Sequence, residues 1–148
     1  MPKTIWDESA RTELIERLSM LTPETKPRWG KFNAPRMLAH LASSMRMAKG
    51  EIIAASKNLP IRYTPLKQII IYWLPFPKGA PTAPELLLRQ VANWDENVAD
   101  VRAQIESFAT WKQKGPWPQH PAFGTLSERT WGVLGYRHTD HHFRQFGV

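Results

Sequence analysis

His138 and His142 stand four residues apart in a run from Tyr136 to Gln145 near the C-terminus. On a helix that spacing stacks two side chains on one face, so the two imidazoles can share one metal ion. A third histidine, His40, falls in a separate apolar-periodic segment far upstream. Three neutral imidazoles from two helices make an incomplete tetrahedron, with room for water or substrate, whereas a structural zinc site is usually closed by a fourth protein ligand. A metal held this way keeps a net positive charge, lowers the pKa of bound water or thiol and polarises a carbonyl. Two reactions are open to it. Hydroxide attacks an ester, amide or similar electrophile, or an external thiolate attacks an electrophile or opens an epoxide.

The same residues have plainer readings. A lone histidine at the edge of an apolar face is more often a hydrogen-bonded core residue, and an isolated H-x-x-x-H match is common by chance. His141 offers a rival pairing with His138 at three residues' spacing, but it points about 80° from the centre of the face, a flanking position. His120, in a Pro-flanked loop, reads as a loop or pocket-rim residue. Asp140 faces the opposite side of the helix and reads as solvated. No H-E-x-x-H is present, so the candidate proton handlers reduce to His141, Tyr136 and Asp140. Trp29, Trp73 and Trp131 could line a pocket, although core packing is the commoner use of an aromatic in a helical bundle.

The elements that would position these groups are helices joined by Pro-rich loops. Asp7 is an N-cap with Glu8 in the first turn, and Leu14, Ile15, Leu18 and Leu21 follow at helical spacing until Thr22-Pro23. A second helix opens at Asn33, with Pro35 tolerated in its first turn. Met37, Leu38, Leu41, Met45 and Ala48 form its stripe, His40 lies on the flank, and Gly50 and residues 57–60 mark its breakdown. Residues 65–74 read as a short buried or interface helix, although the Ile69-Ile70-Ile71 run also has strand propensity. Pro75, Pro77, Pro81 and Pro84 mark a long loop. A further helix covers about residues 93–112 on the spacing of Val98, Val101, Ile105 and Phe108, and a second loop covers residues 115–124. The last helix begins with a capping box, Thr125 to Glu128, and presents Trp131, Leu134, Gly135, His138, His142 and Gln145 on one face. The expectation is an all-α, four-helix bundle with long Pro-rich loops and a short extra helix, in one domain spanning residues 1–148.

Composition narrows the chemistry. The 148 residues include no cysteine, which removes disulfides, thiolate ligands and cysteine nucleophiles, so any thiol must arrive as a cosubstrate. Residues 1–20 do not read as a signal peptide, and the longest apolar run, from Ile69 to Leu74, is far short of the roughly 20 residues a membrane span takes. A cytoplasmic protein without membrane contact is expected. Residues 26–78 carry ten Lys/Arg and one acid, Glu51. That stretch reads as a solvated surface first, then as an attraction for an anionic small substrate. It contains no nucleic-acid recognition motif and its cations share no obvious helix face.

The stretch from His120-Pro121-Ala122-Phe123-Gly124 through Trp131 to His142-Phe143-Arg144-Gln145-Phe146-Gly147 resembles the DinB/YfiT-like superfamily. Within it, the closest likeness is to a subgroup of uncharacterised domains with a histidine-rich last helix. Trp29-Gly30-Lys31 and Met37-Leu38-Ala39-His40-Leu41 resemble that subgroup's second helix. The likeness spans the chain in helix order, with its specific motifs confined to those two regions. It implies a four-helix bundle, a homodimer, and a divalent metal, zinc or nickel, held by His40, His138 and His142. Gln145 then matches a family glutamine three residues after the final ligand and becomes the partner expected to orient it. The implied function is a metal-dependent enzyme, a hydrolase or a thiol-dependent transferase acting on a small molecule. The alternatives are a non-catalytic metal-holding stress-response or binding module and, more remotely, a nucleic-acid-binding protein.

Overall fold

The computed structural model describes residues 1–78, 82, 84–87, 93–111 and 117–148. Pro81, the expected helix end at 112 and the expected loop start at 115–116 lie outside them. The described residues form five α-helices and no strand: α1 (Glu8–Ser19), α2 (Ala34–Ala48), α3 (Leu66–Tyr72), α4 (Trp94–Ser107) and α5 (Glu128–Gln145). Residues 69–71 are therefore helical despite their β-branching, which is a weak preference that packing overrides.

The caps follow local chemistry. Asn33 and Asn93 accept from the backbone N–H groups of Arg36 and Glu96 at 2.9 Å each. Asp7 occupies the N-cap position of α1 but makes no side-chain cap bond; its carboxylate accepts instead from the Thr4 hydroxyl at 3.0 Å. The start of α5 corrects the expected capping box. Ser127, not Thr125, is the N-cap and accepts from Thr130 N–H at 3.2 Å. This places Thr130, rather than Glu128, at the position the reciprocal bond would use.

α2 is the central element. Eleven of its residues, from Ala34 to Met47, are buried, so His40 is enclosed by the core rather than lying on the flank of a stripe. α2 packs on α4 and α5, and α1 packs on the same two helices. One apolar cluster joins these four helices through Leu14, Leu18, Leu38, Leu41, Ile105 and Phe143. A second gathers Met47, Ile71, Phe123, Leu126, Trp131 and Leu134 beneath α3 and the loop before α5.

α5 is held from several sides. Arg137 donates to the carbonyl oxygens of Ile70, Ile71 and Leu74, taking up acceptors that the end of a helix leaves open. Of the α3 residues only Ile71 is buried, while Trp73 just beyond the helix is 76% exposed. On another side, Ile5 N–H donates to Gly132 O at 2.9 Å and the Trp6 indole donates to Glu128 O at 3.0 Å. Gly132 permits this, because a Cβ there would stand 2.1 Å from Trp6 Nε1.

An exposed helical Gly→Ala ordinarily stabilises by up to about 1 kcal/mol. At Gly132 the overlap with a ring already fixed by its hydrogen bond reverses the sign. Gly132→Ala should destabilise the protein by about 1–3 kcal/mol, read as a lower midpoint in urea denaturation; an unchanged or higher midpoint would show that Trp6 is not seated on this glycine.

Candidate metal centre

α2 presents His40 from its second turn and α5 presents His138 and His142 from its C-terminal half. Contact between the two helices brings the three rings into a nearly equilateral triangle. Centroid separations are 5.1 Å for His40–His138, 4.9 Å for His40–His142 and 4.8 Å for His138–His142. One nitrogen from each ring lies within 4.8 Å of the other two, so the three histidines could hold a metal ion. His40 Nε2 and His138 Nε2 are 3.2 Å apart. Two imidazole nitrogens on one tetrahedral zinc, at about 2.0–2.1 Å each, stand about 3.3 Å apart.

The electrostatics suit ligation. Burial pushes His40 down to about 3, with the neighbouring His142 adding to the effect. Burial likewise brings His142 to about 4, against its hydrogen bond to Gln145, which favours the charged form. His138 is driven well below the usual histidine range, again by burial first and then by its imidazole neighbours. At neutral pH all three rings are uncharged and each carries one lone pair, the form that binds a metal.

A chain of two hydrogen bonds fixes which nitrogen of His142 holds that lone pair. Gln145 Nε2 donates to the Trp29 carbonyl at 2.9 Å, so its Oε1 must be the atom 2.8 Å from His142 Nδ1. An amide oxygen only accepts, hence Nδ1 carries the proton and Nε2 is left as the ligand atom. The loop that supplies the carbonyl lies directly on the end of α5, with Arg28 N–H donating to Gln145 O at 2.7 Å. Gly30, at φ +81°, makes this approach possible, because a Cβ there would fall 2.6 Å from Gln145 Nε2. On His40 the second nitrogen, Nδ1, is buried without a hydrogen-bond partner among the described residues.

Phe32 packs against the outer side of the triangle, 5.3 Å from the His40 ring and 5.8 Å from His142. His141 flanks it, 5.2 Å from His142, with Trp29 at 5.7 Å and Phe76 at 5.8 Å. The Lys78 ammonium lies 4.6 Å from the Trp29 ring centre and the Arg137 guanidinium 4.8 Å from that of Phe76. Gly30, Phe32, Phe76 and Lys78 had not been read as site residues. Only Gly30 left a trace, an isolated glycine beside Trp29 just before the Asn33 cap.

Other expectations land elsewhere. The Tyr136 hydroxyl donates to Glu13 at 2.9 Å, about 200° around α5 from His138. Asp140 is not solvated; it pairs with Arg17 at 2.8 Å and Arg144 at 3.0 Å. His120 is structural, its Nδ1 accepting from Ala122 N–H at 3.0 Å and Phe123 N–H at 3.2 Å. Trp131 is a core residue and Trp73 is exposed, so of the three tryptophans only Trp29 borders the triangle. Within the basic stretch, Arg46 pairs with Asp100 at 2.5 Å and Lys49 with Ser107 at 3.1 Å.

The chain belongs to the DUF1569 family of proteins of unknown function, whose model matches residues 7–147. No curated protein and no solved structure matches it.

Two outcomes follow from this geometry. Gln145→Leu leaves the His142 N–H and the Trp29 carbonyl unpaired and should weaken zinc binding about 10–100-fold, read by competition with a chromophoric chelator; wild-type affinity would remove Gln145 from the site. The metal-free protein should also lose stability as pH falls below about 6.5, because the unfolded chain takes up protons that the buried rings refuse until about 3–4. Each such imidazole costs about 1.4 kcal/mol per pH unit in that window. Urea titrations at pH 7 and pH 5 measure the slope, and equal stabilities would contradict it.

Proposed function

We propose that this chain is a metal-dependent enzyme of DinB-like type, with His40, His138 and His142 holding one divalent zinc or nickel ion. The observation that carries the reading is the converging triangle of neutral imidazoles, joined by no carboxylate or further histidine among the described residues. A divalent ion on three neutral ligands keeps its full charge and acts as a Lewis acid toward a substrate oxygen or sulfur. The chain's own residues supply the frame. Gln145 and the Trp29 carbonyl aim His142, Phe32 shields two of the rings from water, and His141 stands beside the triangle, where it can take or give a proton.

The cycle of contacts from α1 through α5 and α2 to α4 supports the four-helix bundle of that superfamily. The reaction is hydrolysis or transfer to an external small thiol, since the chain has no thiol of its own. The exposed stripe of Leu66, Ile69 and Trp73 on and after α3 suits a homodimer contact. Among the described residues no helix is long and apolar enough to cross a membrane.

Purified protein should carry about one divalent ion per chain by elemental analysis. His138→Ala or His142→Ala should abolish binding and His40→Ala should weaken it severely, while His141→Ala leaves the ion in place. Full occupancy in the double variant lacking both His138 and His142 would overturn the site. Loss of metal on replacing His141 alone would move the ligand set to the three-residue pairing. Metal-loaded protein should then be screened against ester, amide and epoxide substrates with and without small thiols.

A further inference from the structure

Two donors beside the triangle, the Trp29 indole and the Lys78 ammonium, have no acceptor among the described residues. Trp29 Nε1 is buried with no hydrogen-bond partner among the described residues, and an indole N–H can only donate. The Lys78 ammonium lies over the same ring and forms no ion pair among the described residues. His141 stands against the Trp29 and Phe76 rings. The nearest acid along α5, Asp140, is already engaged by Arg17 and Arg144. A buried N–H without an acceptor costs about 1–3 kcal/mol, and a neighbouring cation does not relieve it. A ligand carrying negative oxygen relieves both.

We propose that this rim is an oxyanion subsite, where the Trp29 indole N–H and the Lys78 ammonium hold the carboxylate or phosphoryl group of a small-molecule substrate. Phe76 and His141 wall the part of that molecule next to the anionic group. The subsite rests on the proposed function only in taking the molecule to be a substrate, since the anion contacts belong to the chain itself. The four-carbon stem of Lys78 lets its ammonium leave the ring face for an oxyanion at little cost. A divalent ion on the three imidazoles would add a charge of the same sign, so both halves of the site select an anionic molecule.

The test is titration of 15N-labelled protein, metal-free and zinc-loaded, with benzoate and with inorganic phosphate. The Trp29 indole signal is assigned by its loss in Trp29→Phe, which keeps the backbone carbonyl that Gln145 uses. A saturable shift of that signal with either probe supports the subsite, and the tighter probe names the anion class. Lys78→Met should weaken binding at least about tenfold, the loss of one charge-assisted hydrogen bond. Lys57→Met, which removes a distant exposed charge, should leave it unchanged. Circular dichroism and zinc content confirm that each variant remains folded and loaded. No shift of the Trp29 signal, or wild-type affinity in Lys78→Met, would overturn the subsite. Zinc binding without the shift refutes the subsite alone, and the shift in a protein that takes up no metal refutes the proposed function alone.

Discussion

Three clustered imidazoles, His40 and His142 buried and His138 partly so, must stay neutral, and a neutral imidazole has one N–H and one lone pair to place. His142 sends its N–H outward to Gln145, and His40 meets His138 nitrogen to nitrogen. A proton shared between those two Nε2 atoms satisfies them but gives the third lone pair nothing, and a protonated ring is opposed by burial. A cation among the three nitrogens turns the inward lone pairs into ligands at once. The surrounding architecture serves this requirement, because lone pairs bind a common ion only if their rings cannot turn.

The fold immobilises α5 on the sides away from the histidines. Arg17 of α1 bonds both Asp140 and the carbonyl of Val148, tying down the last turns where His138 and His142 sit. Arg137 fastens the end of α3 to α5, and Ile5 and Trp6 run along its glycines. α2 is secured in turn by the fork of Arg46 onto Asp100 of α4. These contacts are partly buried and geometrically specific, so they set the helix positions more firmly than isolated surface pairs would. Within residues 26–78, Arg46 and Lys49 are engaged by acids in this way, while Lys26, Arg28, Lys31, Lys57 and Lys78 are exposed.

The parts legible in the sequence were those governed by local rules. Helix periodicity placed four of the five helices, whereas the short α3, apolar on nearly all sides, carried no such period, and the Asn33 cap fell where a short polar side chain precedes an apolar run. The i,i+4 spacing put His138 and His142 on one face. What the sequence lacked was any statement about neighbours. Nothing in the string shows that α2 meets α5, so His40 could be a third ligand only by supposition until the helices were seen to pack. Asp140 looked solvated because its partner Arg17 is 123 residues away. The missed cap at Ser127 was a choice between two hydroxyls two residues apart, which local propensity decides poorly.

The loop before α2, whose Trp29-Gly30-Lys31 carried part of the resemblance, hid its role for a related reason, and it matters most to the chemistry. A main-chain carbonyl has no letter of its own, so the acceptor that orients Gln145 is invisible in a sequence that shows only a tryptophan. Yet Trp29 reaches the site twice. Its carbonyl sets the tautomer of His142 through Gln145, and its indole, beside His141 and under Lys78, forms the rim. Both contacts depend on Gly30, whose positive φ and missing Cβ let the loop close on the end of α5. One short segment therefore couples the orientation of a candidate metal ligand to the surface a substrate would touch. Displacing the loop would loosen the ligand and alter the rim together, so the two properties cannot be tuned independently by changes at Gly30.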